Sequence, residues 1–164
     1  MTDWPKDNIA DLIKFYGNPG TPGNPAPGWF AKNTVKIIPP FKMHYGKDPI
    51  SAITVHRLAA PAFMAAFNEI FEKCGHDQKK VDATGASDYG GCYNLRYIAG
   101  SKRLSNHAFA CAIDLSPSTN GFRYSKTTTL STIVIDAFKR QGARWGGDYK
   151  GRKDPMHFEF VRSV

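Results

Sequence analysis

The sequence predicts an α+β domain built on a small antiparallel sheet. Three observations lead there. Apolar residues recur at helical spacing in three separate segments, short β-rich segments cluster towards the C-terminus, and helices and strands follow one another without a βαβ rhythm. With 164 residues, 41% hydrophobic and 13% aromatic, the chain suits a single domain with one core.

Residues 7–16 carry Ile9, Leu12, Ile13 and Tyr16 at helical spacing, with Asp7 or Asn8 as N-cap and Gly17 as the stop. Residues 17–28, with four Pro and four Gly, predict a loop or extended cover. Residues 29–38 have β character and end at Pro39-Pro40. Residues 60–74 predict a second helix, with Phe63, Phe67, Ile70, Phe71 and Cys74 on one face and Gly75 as C-cap. Residues 78–91 are polar and turn-rich. A strand is expected at 92–99, a loop at 100–106, a buried strand at 108–115 and another loop at 116–126. Leu130, Ile133, Val134, Ala137 and Phe138 place a third helix at 128–141, closed by Gly142. Short strands are expected at 143–145 and 157–161.

Composition narrows function. The net charge is +8, and residues 123–164 hold nine Lys/Arg against four Asp/Glu. Such a field attracts polyanions: nucleic acid, anionic lipid or bacterial cell wall. No helix–turn–helix or RNA-binding signature accompanies it, so no nucleic-acid partner is expected. No apolar run approaches the ~18 residues of a membrane span, and the N-terminus lacks the apolar core and cleavage site of a secretory signal. Cytoplasmic synthesis is therefore expected. Three scattered cysteines, Cys74, Cys92 and Cys111, form no CxxC pair and argue against a disulfide scaffold.

Two of the five histidines stand out; His44, His56 and His76 have no second ligand at a suggestive spacing. In the segment from Ser105 to Leu115, Asp114 sits between Ile113 and Leu115, where ionisation is costly without a partner. His107 lies seven residues earlier. In Asp154-Pro155-Met156-His157-Phe158-Glu159-Phe160, a strand puts His157 and Glu159 on one face and Phe158 and Phe160 on the other. Two His and one Asp match an open catalytic zinc site, and Asp154 lies close enough to serve as a base that is not a ligand. A buried ion pair at Asp114 with a satisfied core histidine would also explain the pattern.

The segments YGGCYNLRYIAGSKRLS (89–105), SNHAFACAID (105–114) and RWGGDYKGRKDPMHFEF (144–160) resemble the D-Ala-D-Ala metallopeptidase family, with its SxHxxGxAxD, WGGDW and DxxHFE motifs. Residues 55–71 also resemble its endopeptidase-type branch, the L-alanyl-D-glutamate endopeptidases that include phage endolysins. The resemblance covers roughly residues 29–164 and implies a hedgehog/D-Ala-D-Ala peptidase-like domain there; residues 1–28 lie outside it and are expected to form an N-terminal helix and Pro/Gly-rich segment packed on the domain. It implies zinc held by His107, Asp114 and His157. It also implies Asp154 as general base, Arg96 as substrate and oxyanion contact, and Ser105 and Trp145 as substrate-side residues. The substrate implied is the peptidoglycan stem peptide, reached by a monomer acting on the anionic wall after release or delivery. The bond expected is L-Ala–D-Glu; removal of terminal D-Ala is the alternative, and a zinc-binding wall module without catalysis is the non-enzyme alternative. Two positions depart from the pattern. Ala110 replaces the glycine of HxxGxAxD, and Tyr149 replaces the second Trp of WGGDW.

Overall fold

The computed structural model describes residues 2–121 and 128–164. The chain forms an α+β domain whose largest sheet has four antiparallel strands. Helix α1 spans Ile9–Tyr16; the Asn8 side chain accepts from Asp11 N, and the Gly17 N–H closes the C-terminus on Ile13 O. The Pro/Gly-rich segment folds into a minimal hairpin, β1 (Gly20–Thr21) against β2 (Asn24–Pro25). The expected strand at 29–38 is corrected in its first half. Trp29–Asn33 is a short helix, α2, and only Thr34–Ile37 is a strand, β3. The physical reason is tertiary. Trp29 Nε1 donates to Tyr16 O at 3.0 Å, and this buried anchor overrides the β propensity of the segment.

Strands β4 (Met43–Tyr45) and β5 (Asp48–Ile50) form a hairpin, and β6 (Ile53–His56) pairs with β3. Helix α3, Ala60–Lys73, buries Phe63, Phe67 and Ile70. Helix α4, Gln78–Thr84, lies in the segment expected to be turn-rich. The Asp77 carboxylate caps Lys79 N and Lys80 N, and Gly85 ends it in the left-handed region. Its polar sequence hid it because only Val81 and Thr84 are buried.

The four-stranded sheet runs in the order β7 (Tyr89–Gly91), β8 (Ala112–Leu115), β10 (His157–Glu159), β9 (Arg144–Trp145). The strand expected at 92–99 is thus displaced to Tyr89–Gly91, leaving only an isolated bridge between Tyr97 and Leu104. The strand expected at 108–115 begins at Ala112. Asn106–Phe109 is a 3-10 helix instead, capped by the Ser105 hydroxyl and ended by Ala110 at φ +54°. Helix α5, Pro117–Asn120, interrupts the expected loop at 116–126, whose residues 122–126 lie outside the described residues. Helix α6, Thr132–Arg140, is capped by Ser131.

The core lies between the sheet and α3 and α6. Phe138 stands edge-on to Phe67 at 5.7 Å and stacks on Phe158 at 4.7 Å; Phe63 meets Phe160 at 4.7 Å. Helix α1 seals one margin, with Leu12 and Tyr16 buried and the Tyr16 hydroxyl donating to Phe160 O at 2.7 Å. Phe158 and Phe160 therefore take the core face of the last strand, and His157 and Glu159 turn to the other. All three cysteines are free and buried. Among the described residues no helix is long and apolar enough to cross a membrane.

Candidate metal centre

Strand register brings the chemistry together. Asp114 on β8 is the direct antiparallel partner of His157 on β10. Such partners put Cβ atoms about 5 Å apart, so the two side chains meet on the face away from the core. His107 arrives from the 3-10 helix that precedes β8. Ligand atoms of His107, Asp114 and His157 all lie within 4.8 Å of one another. Oδ1 of Asp114 is 2.8 Å from His157 Nδ1 and 3.4 Å from His107 Nε2.

The outer nitrogens fix both rings. His107 Nδ1 lies 2.6 Å from Cys92 O, which can only accept, so Nδ1 carries the proton and Nε2 is turned inward. His157 Nε2 donates to Glu159 Oε2 at 3.1 Å, leaving Nδ1 towards Asp114. Two imidazole nitrogens and a carboxylate oxygen thus converge, an electron-rich set that needs a cation in its midst. Both ring nitrogens of His157 face a carboxylate, an arrangement that favours a proton on each. Burial opposes charge on His157, but hydrogen bonds to Asp114 and Glu159 outweigh it and hold the imidazole well above its ordinary range. Burial would raise the Asp114 carboxyl, yet its bonds to His107 and His157 keep it below the usual carboxylate range. A divalent metal ion fits the same set in place of the proton on His157 Nδ1. Two imidazoles, each oriented by an outer partner, and a carboxylate match the donor set of an open catalytic metal site.

Asp154 stands beside this group. Burial pushes its carboxyl up, the His157 charge pulls it partly back, and Asp114 raises it further. Its Oδ1 is buried without a hydrogen-bond partner. The two glycines after Trp145 explain its placement. A Cβ on Gly146 would stand 2.2 Å from Asp154 O, and one on Gly147 would stand 2.3 Å from the Trp145 ring. Gly146 O in turn accepts from Asp154 N at 3.0 Å. The WGGD turn is a cradle for the Asp154 loop.

Trp145 packs on Phe158 and ties Nε1 to Pro155 O at 2.8 Å, so it braces the same loop. Ser105 is buried and caps the helix that carries His107. Arg96 is not drawn into the group: it is exposed, and its guanidinium rests on Tyr97 O at 3.4 Å. His44, His56 and His76 have other partners, Gly46 O, Tyr16 O and Glu72 respectively.

Glu159 shares the strand face of His157, as the alternation predicts, and also has a role that the alternation does not reveal. It is 2% exposed and accepts from His157, Arg144, Tyr149 and Asn106. Burial would raise its carboxyl, but these donors hold it below the usual range. The legible signal was the alternation of HFE. Arg144 is its cross-strand partner, which only the register reveals.

Residues 99–160 match the family model described as D-alanyl-D-alanine carboxypeptidase.

The match covers less than half of the chain, but it takes in Ser105, His107, Asp114, Trp145, Asp154 and His157; Arg96 falls outside it. It supports a metallopeptidase, and the convergence of His107, Asp114 and His157 supports a metal within it. No solved structure matches the chain.

Proposed function

We propose that this chain is a zinc-dependent peptidase of peptidoglycan stem peptides. The observation that carries the reading is the convergence of His107 Nε2, Asp114 Oδ1 and His157 Nδ1 beside the unpartnered Oδ1 of Asp154. Zinc held by the first three would acidify water and polarise a peptide carbonyl. Asp154 Oδ1 is the base that takes the proton from the attacking water and returns it to the leaving amine. Its burial and raised affinity for protons suit both halves of that task. Glu159 and the Cys92 carbonyl keep the rings aimed. The Asp154–Pro155 loop is held in place by Gly146 and Trp145. Exposed Arg96 is proposed as a substrate contact. The +8 charge favours an anionic polymer such as the wall.

The bond proposed is L-Ala–D-Glu, because DPMHFEF and WGGDY resemble the endopeptidase branch. The family match favours a second reading, release of terminal D-Ala. A synthetic stem pentapeptide ending in D-Ala-D-Ala separates them by product mass. The endopeptidase reading expects a split between the first two residues, and the carboxypeptidase reading expects loss of one alanine. Asp154→Asn should keep its metal and lose roughly 10²–10⁴-fold in turnover. An uncleaved peptide with zinc-loaded protein, or full activity in Asp154→Asn, would overturn the assignment.

A further inference from the structure

A buried run of polar contacts leads from the N-terminal segment to the outer nitrogen of His157. It begins at Asp7, just before α1 and outside the residues that match the family model. Asp7 is held by backbone on both sides: Asp7 N donates to Arg162 O at 2.9 Å, and Arg162 N donates to Pro5 O at 2.9 Å. Its side chain is 11% exposed and accepts from Arg103, Arg144 and Asn106. Two of those three donors also hold Glu159. Arg144 Nε reaches Glu159 Oε1 at 2.7 Å, and Asn106 Nδ2 reaches Glu159 Oε2 at 2.5 Å. Glu159 Oε2 is the atom that fixes His157 Nε2.

Asn106 adds an independent sign. Its Nδ2 serves both Asp7 and Glu159, while its Oδ1 is buried with no partner. A buried unpaired carbonyl is costly, and the amide keeps this orientation because a carboxylate stands on each side of its nitrogen. Asn106 is also the first residue of the 3-10 helix that carries His107. Asp7 therefore bears on two of the three converging groups.

We propose that Asp7 is a positioning residue of the His107–Asp114–His157 group: its carboxylate holds Arg144 and Asn106 against Glu159, which in turn keeps His157 Nδ1 towards Asp114. The inference rests on the metal reading above. An N-terminal segment that looks like a simple cover thereby completes the metal site.

The test uses the full chain and two readouts other than turnover: zinc affinity by competition with a chromophoric chelator, and the visible spectrum of the cobalt-substituted protein. Outer partners of metal ligands typically contribute 10–100-fold in affinity, and Asp7, one contact further out, should contribute roughly tenfold. Asp7→Asn should weaken zinc binding by that factor and alter the cobalt spectrum, and Asp7→Glu should recover most of both. An Asp7→Asn protein that binds zinc as tightly as the parent, with an unchanged cobalt spectrum, overturns the proposal however far its melting temperature falls. Should Asp7→Asn not fold, Arg144→Lys cuts the same run at its next member and must weaken zinc; unchanged affinity there overturns the proposal equally. A parent chain that binds no zinc overturns the metal reading itself, and this inference with it.

Discussion

Ala110 shows how a single residue sets the approach to the site. It ends the 3-10 helix at φ +54°, ψ 27°, a left-handed conformation that costs a non-glycine residue about 1–2 kcal/mol. The turn is held from within and without: Ala110 N donates to His107 O at 3.0 Å, and Ala110 O accepts from His56 N at 2.7 Å. Ala110, where the motif that the sequence resembles has glycine, thus holds a left-handed conformation that favours glycine. Ala110→Val should destabilise the protein by roughly 3 kcal/mol or more, combining left-handed strain with overpacking at a fully buried position. Ala110→Gly should be near neutral, because relief of about 1 kcal/mol of strain is offset by about 0.8 kcal/mol lost with a buried methyl. Urea midpoints of the two variants check this, and an unaffected Ala110→Val would mean that the turn is not held as described.

Between elements, His56 joins β6 to α1. Leu58 N donates to its Nδ1 at 3.1 Å, so Nε2 carries the proton and donates to Tyr16 O at 3.0 Å. Both nitrogens are satisfied in the neutral ring. Burial, partly countered by the Tyr16 carbonyl and reinforced by Arg57, lowers its pKa to about 4. Between the unfolded value of about 6.5 and 4 the unfolded chain binds more protons, so stability rises with pH across that window. The contribution, roughly 3 kcal/mol, is present above pH 6.5 and lost as pH falls towards 4. As pH is lowered from 7.5 to 4, melting temperatures should fall more steeply for the parent than for His56→Gln; parallel curves would contradict the clamp. The WGGD turn makes a second prediction at this scale. Gly146→Ala forces its Cβ against Asp154 O and should lower turnover by ~10²-fold with zinc retained, since small misplacements of catalytic groups cost that much. Gly151→Ala, with nothing within 4 Å, is the silent control. These elements also show what was legible in the sequence. Helical spacing marked α1, α3 and α6, because their apolar stripes face one core. It passed over α4, which buries little, and α2, which exists because Trp29 is anchored on Tyr16 O. The strand alternation in HFEF separated site face from core face. Register is not written in any single segment, so the pairing of Asp114 with His157 and of Arg144 with Glu159 could not be read in advance.

At the scale of the whole molecule, the two ends of the chain meet at the back of the site. Lys6 bridges to Arg162, Trp4 packs on Phe160 at 4.8 Å, and Asp7 reaches Arg144 across 137 positions of sequence. Contacts this distant in sequence leave no local signature, which is why residues 1–28 read only as a cover. The same closure places the polar face of the sheet, where Asp114, His157 and Glu159 are joined by His107 and Asp154 from neighbouring segments, over a core of phenylalanines that holds the strands in register. The central claim is that this face works by holding a metal. The most direct measurement follows cleavage of a soluble stem peptide by chelator-stripped protein, before and after one equivalent of zinc. The stripped protein should show no cleavage, with recovery that saturates at one zinc per chain. Undiminished cleavage in excess chelator, with no metal bound, would contradict it.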